Sequence, residues 1–194
     1  DDLRRGIQMS VIYGDNLKDE VRPIEKVLQF KTRLFSTSPV DYTLLMRRYF
    51  MDIVTNIQKQ ASQKPIAVGI DPHSCEWMSL YMRLNKFSGS VIAGDFSNYD
   101  GKLPAFLSQY VLGFIESWYQ GSPQEKRARS LLFEHIPRAV HIFNNIVYQV
   151  EAGNPSGNPI TSIYNSICNY IMCYTVLTQD LGLNPTEFEM VFLW

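Results

Sequence analysis

Cysteine is scarce in this chain, and long apolar runs are missing altogether. The three cysteines, Cys75, Cys168 and Cys173, are an odd number, widely spaced, with no CxxC pair. With His73, His135 and His141 they make no metal-finger spacing, which leaves buried or free thiols in a reducing compartment. No apolar stretch approaches the ~18 residues of a membrane-spanning helix, and no signal peptide opens the chain, so an intracellular protein without a transmembrane segment is expected. Neither sign of charge dominates: the formal net charge is −1, and no global positive field advertises nucleic-acid binding. Repeats and low-complexity segments are absent too.

What is present belongs to a folded domain. An apolar fraction of 45% over 194 residues supports one real core, or most of a larger domain that has been cut. Charge is unevenly placed. Nine of the 18 Lys and Arg residues fall in the first 50 positions against seven acidic ones, so that stretch is mildly basic. Both ends look abrupt: no Met starts the chain, and it stops in the apolar run Met190-Val191-Phe192-Leu193-Trp194, which reads as a strand. The natural chain is expected to continue.

Residues 15–39, charged and punctuated by Pro, suggest extended strands and loop. Leu44, Leu45, Tyr49, Ile53 and Ile57 predict a helix over 41–60. Val91-Ile92-Ala93 reads as a short buried strand ending at Gly94-Asp95. Pro104 precedes a strong helical pattern from Phe106 to Trp118, and a further helix is expected over about 124–136. Ile146 to Val150 looks like a strand, and Ile160 to about Gln179 a long helix stopped near Gly182 and Pro185. The fold class is mixed α/β (α+β), without regular βαβ alternation.

Three constellations can carry chemistry. Asp95, at the predicted strand end, is followed five residues later by Asp100; carboxylates on rigid strand ends suit hard cations such as Mg²⁺. A strand-terminating Asp and a turn Asp give the same spacing. The loop Gly153-Asn154-Pro155-Ser156-Gly157-Asn158-Pro159 runs into a helix on which Thr161 and Asn165 share one face, able to hydrogen-bond a sugar or a template backbone. An ordinary capped helix start reads alike. Along an extended strand, Lys18, Arg22 and Lys26 align, as do Lys31 and Arg33, a row able to neutralise phosphates. Intervening acids can instead pair with them on a solvated surface.

Taken in chain order, the three elements together resemble the RNA-dependent RNA polymerases of picorna-like viruses. Lys18-Asp19-Glu20-Val21-Arg22 with Lys31-Thr32-Arg33 is similar to motif F, Asp95 to Asp100 to motif A, and Pro155-Ser156-Gly157 through Thr161 and Asn165-Ser166 to motif B. Gly69-Ile70-Asp71-Pro72 and Glu76-Trp77 look like the family's GxNP…EW segment. The resemblance implies part of a right-hand polymerase: about 1–90 mainly fingers, 91–105 the palm strand with motif A, 106–150 palm and fingers, 151–180 motif B, and 181–194 the start of the motif C region.

It also implies roles. Asp95 would be catalytic and a ligand of Mg²⁺, with Mn²⁺ as a possible substitute. Asp100 would recognise the ribose 2′-hydroxyl with Ser156 and Asn165, supported by Thr161, while Gly157 would let the loop flex. Lys18, Arg22 and Lys26, with Lys31 and Arg33, would meet triphosphate or RNA phosphates, Arg33 most directly. Implied partners are RNA template and primer, NTPs and other viral replication proteins, in the host cytoplasm at membrane-associated replication complexes. Three departures stand out. Phe30 replaces a frequent Gly before Lys31-Thr32-Arg33, Asp71 replaces the usual Asn, and no Gly-Asp-Asp triplet of motif C occurs. The 194 residues alone are therefore expected to bind RNA and NTPs without elongating. A related palm polymerase such as a reverse transcriptase is the other reading.

Overall fold

A computed structural model of the chain describes residues 2–86, 91–97 and 99–193; the side chain of Asp100 lies outside that description. In chain order the elements are α1 (Asp2–Arg5), β1 (Ile12–Leu17), α2 (Ile24–Leu28), β2 (Leu34–Thr37), α3 (Val40–Lys59), α4 (Cys75–Leu84), α5 (Tyr99–Lys102), α6 (Leu107–Trp118), α7 (Pro123–Phe133), β3 (Val140–Phe143), β4 (Ile146–Gln149) and α8 (Thr161–Thr175), continued by a π-helical turn over Val176–Asp180. The mixed α/β class expected from the sequence is what these elements form. They divide into two compact units, residues 1–49 with 98–161 and residues 50–97 with 162–194.

The first unit is built on a four-stranded sheet of order β2-β1-β3-β4. β1 pairs antiparallel with β2 and parallel with β3, and β3 turns back into β4 through Asn144-Asn145. Asn144 takes φ +53°, a left-handed conformation that Asn tolerates better than most residues. α6 buries the stripe Leu107, Val111 and Ile115 and leaves Phe106 and Tyr110 outside. α7 starts at a capping box: Ser122 Oγ accepts from the Glu125 N–H while the Glu125 carboxylate accepts from the Ser122 N–H, with Pro123 in the first turn. Arg129 of α7 is buried and makes two hydrogen bonds to Glu116, at 2.6 and 2.8 Å, beneath the Tyr119 ring. Such a paired, forked arrangement is what lets a guanidinium stay inside.

In the second unit Gly69 takes φ +95° where the chain turns toward α4. Ser74 caps that helix, and Asp71 accepts from the His73 N–H while its own N–H donates to Glu76. α8 buries an unbroken block from Ile163 to Asn169.

Two expected strands are corrected. Val91-Ile92-Ala93 forms no strand, and Val91 and Ile92 are 90% and 94% exposed, because no strand among the described residues offers this run a hydrogen-bonded neighbour. The terminal apolar run makes only a single parallel bridge, Phe192 to Ile66; Trp194 lies outside the described residues. The stretch 15–39 is also less extended than its composition suggests, since residues 24–28 close a helical turn.

Candidate functional site

The loop from Gly153 to Thr161 is a nest of turns. Gly153, at φ +98°, donates its N–H to the Leu103 carbonyl at 3.0 Å. The Asn158 N–H donates to the Pro155 carbonyl, the Thr161 N–H to the Asn158 carbonyl, and Thr161 Oγ1 to the Pro155 carbonyl, each at 3.0 Å. Buried Asn154 and Asn158 join side chains at 3.2 Å. Thr161 is thus committed to shaping the loop. Asn165, one turn further along α8, is fully buried.

This loop rests on β2. Ser156 Oγ accepts the Ser36 N–H at 2.9 Å, and Ser38 Oγ donates to the Gly157 carbonyl at 3.0 Å. A Cβ on Gly157 would lie 1.9 Å from the Ser36 carbonyl oxygen, so the glycine is needed for close approach of two backbones. Beside the loop opens a cleft of about 430 Å³ whose walls include Leu34, Ser36, Gly101, His141, Asn154 and Ser156. Gly101, the sequence neighbour of Asp100, lines the same cleft as Ser156.

Beneath Ser36 lies a group that sequence reasoning did not single out. Asp15 of β1 is buried, and its carboxylate accepts from Ser36 Oγ at 2.6 Å, from His141 Nδ1 at 2.9 Å and from the Tyr148 hydroxyl. A carboxylate only accepts, so His141 carries a proton on Nδ1. Burial alone would raise the Asp15 pKa; the bonds from Ser36, Tyr148 and His141 outweigh it and hold the carboxyl below its ordinary 3.8. The same bond pushes the Tyr148 hydroxyl up to about 12. His141 stacks between Tyr13 and Tyr148, with centroids at 5.5 and 5.3 Å. The one local hint was an acidic residue inside a strand, an unfavoured place; the partners lie 21 to 133 positions away.

The basic stretch is organised by Glu20. Lys18, Arg22 and Arg33 approach its carboxylate at 3.7, 3.6 and 3.5 Å. Lys26 lies in α2 rather than on an extended strand, so the row Lys18, Arg22, Lys26 does not form. Lys31 is tied in through its backbone: its N–H donates to the Lys26 carbonyl and its own carbonyl accepts from Arg22 Nη1 at 2.8 Å. Five cations against three carboxylates between residues 18 and 33 leave an excess of positive charge that exposed pairs of this kind only loosely neutralise. Phe30, in the position where Gly was expected, has φ +53° and closes the end of α2, its N–H donating to the Val27 carbonyl.

Asp95 belongs to the second unit, exposed on an irregular segment. Among the described residues no group of three or more His, Cys, Asp or Glu side chains could hold a metal ion. No described helix is long and apolar enough to cross a membrane.

Comparison with known proteins finds relatives among viral RNA polymerases. The profile of a family described as viral RNA-dependent RNA polymerase matches residues 2–191. The chain is 36% identical over 178 residues to the replicase polyprotein of Cricket paralysis virus, covering 87% of this chain and 10% of that one. It is 33% identical over 181 residues to the genome polyprotein of Human hepatitis A virus genotype IB, covering 93% of this chain and 8% of the polyprotein. Among solved structures, the Sicinivirus 3Dpol RNA dependent RNA polymerase superposes with a TM-score of 0.79 at 27% identity, over 95% of this chain and 38% of that one. The chain thus spans about a tenth or less of the length of these two polyproteins.

Proposed function

The chain belongs to the viral RNA-dependent RNA polymerase family of picorna-like viruses, and on that premise we propose that it supplies part of the fingers and palm of an enzyme that copies RNA. The reaction is attack of a primer 3′-hydroxyl on the α-phosphate of an incoming NTP, with release of pyrophosphate. Residues 1–90 are assigned mainly to fingers, 91–105 to the motif A segment, 106–150 to palm and fingers, 151–180 to motif B and 181–194 to the approach to motif C.

The observation that carries the reading is the seating of Ser156. Its oxygen accepts from Ser36, which leaves the hydroxyl proton to be given to a sugar in the adjoining cleft, whose wall includes Gly101. Asn165 completes the set that reads the 2′-hydroxyl. Lys18, Arg22, Lys26, Lys31 and Arg33 offer charge to triphosphate and RNA backbone, and positioning with charge neutralisation supplies most of the rate in phosphoryl transfer. The family generally uses divalent metal ions. Asp95 is the carboxylate this chain would offer to such a set, and the 194 residues alone are expected to bind RNA and NTPs without elongating. The family implies replication in the host cytoplasm, and we infer that it proceeds with other viral replication proteins at membranes.

Primer extension on an RNA template by the full polymerase tests this. NTPs should be preferred over dNTPs, and Asn165→Ala should weaken the preference by about tenfold, the effect of a lost buried hydrogen bond to the sugar. Equal preference in the variant and the parent enzyme would remove Asn165 from the sugar-reading set. A DNA product would favour the reverse-transcriptase reading.

A further inference from the structure

Ser36 stands opposite Asp15 in the β1–β2 ladder. The Lys18 N–H donates to the Arg33 carbonyl at 2.8 Å, so the ladder bonds fall on that pair and on every second pair beyond it. Asp15 and Ser36 are a pair between bonds. The backbone N–H and carbonyl of Ser36 therefore point away from β1, off the edge of the sheet, and both meet the loop: the N–H reaches Ser156 Oγ and the carbonyl abuts Gly157. The Ser36 side chain turns the other way, onto Asp15.

The Asp15 carboxylate draws donors from three other strands: Ser36 from β2, His141 from β3 and Tyr148 from β4. None of these side-chain bonds is needed for strand pairing. Burying a carboxylate is costly, and apolar residues of similar volume often serve stability as well or better. What a fully satisfied polar network adds is a single orientation. Here the oriented group is Ser36, and Ser36 holds Ser156.

We propose that Asp15 is a positioning residue for the Ser156 hydroxyl, acting through Ser36 to fix the loop against β2. The proposal rests on the reading that Ser156 faces the ribose. Fixing the loop keeps one lone pair of Ser156 Oγ engaged and aims its proton at the cleft. Losing the Ser36–Asp15 bond frees β2 to shift and the hydroxyl to turn.

The test uses the full polymerase with Ser36→Ala, which keeps the backbone donor but loses the tie to Asp15, and Asp15→Asn, backed by Ser36→Ala should Asp15→Asn fold poorly. Two quantities are read: hydrogen exchange at residues 36 and 153–159 without ligand, and the NTP-over-dNTP ratio of kcat/KM. Ser36→Ala is expected to speed exchange there and lower the ratio by about fivefold, on the scale of one hydrogen bond. Ser36→Thr, which keeps the hydroxyl, should restore both. Unchanged exchange and ratio in Ser36→Ala and Asp15→Asn would overturn the proposal. So would faster exchange with an unchanged ratio while Ser156→Ala lowers it. If Ser156→Ala leaves the ratio unchanged but Ser36→Ala still loosens the loop, the ribose reading fails and the tie from Asp15 to Ser156 stands.

Discussion

The Ser36 carbonyl oxygen sits where a Cβ on Gly157 would be, 1.9 Å from the ideal position. The oxygen belongs to backbone, which cannot swing aside as a flexible side chain can. Gly157→Ala must therefore lift the loop off β2, breaking the Ser156–Ser36 and Ser38–Gly157 hydrogen bonds. A displacement of this kind, near 1 Å, costs on the order of 100-fold in a positioned reaction. Steady-state elongation by the full polymerase should show that loss. A Gly157→Ala enzyme within twofold of the parent would mean that the loop functions away from β2.

Phe30 offers the opposite experiment. It holds φ +53° at the end of α2 and is 93% exposed, so its ring gains little from burial while its backbone is strained. Phe30→Gly should stabilise the turn by about 1 kcal/mol. Slower hydrogen exchange at positions 30 and 31, whose amides cap α2, is the expected result; unchanged or faster exchange would show that the ring has a contact worth more than the strain.

His135 gives a pH dependence. Burial lowers its pKa below the ordinary 6.5, against the opposing pull of the Glu134 carboxylate and the Met9 backbone, and its ring meets Tyr42 edge-on at 5.9 Å. Because the folded form takes up the proton less readily than the unfolded chain, this stability is full above about pH 6.5 and is lost as pH falls through the folded value. His135→Phe keeps a ring and removes the titration. Thermal melts at about pH 7 and about pH 5 should show a smaller fall for the variant than for the parent; equal falls would contradict the assignment.

Much of the helical framework was legible. The apolar spacing of 41–60, the Pro104 start before α6, and the long pattern after Ile160 all led to helices close to those observed. The buried face of α3 is Tyr42, Met46, Phe50 and Ile53 rather than the stripe through Leu44 and Tyr49, because two overlapping apolar stripes share that helix. β3 escaped notice, although Asn144-Asn145 between Val140–Phe143 and Ile146–Gln149 is a hairpin signal. Val91 to Ala93 failed as a strand for a different reason: an apolar run states a need for burial but cannot name the neighbour that meets it. Lys26 was misplaced because α2, at five residues, is too short for periodicity to register. At the site, Ser156, Gly157 and Thr161 could be read from one contiguous motif. Asp15, Ser36, His141 and Tyr148 could not, since only the sheet register brings them together.

The claim that this chain forms part of an RNA-copying active site is tested most directly at Asp95. In the full polymerase, extension of an RNA primer on an RNA template in the presence of Mg²⁺ should fall by about 1,000-fold or more in Asp95→Asn, which removes the charge and keeps the shape, while binding of the primed template is retained. Elongation by Asp95→Asn at the rate of the parent enzyme would contradict the account.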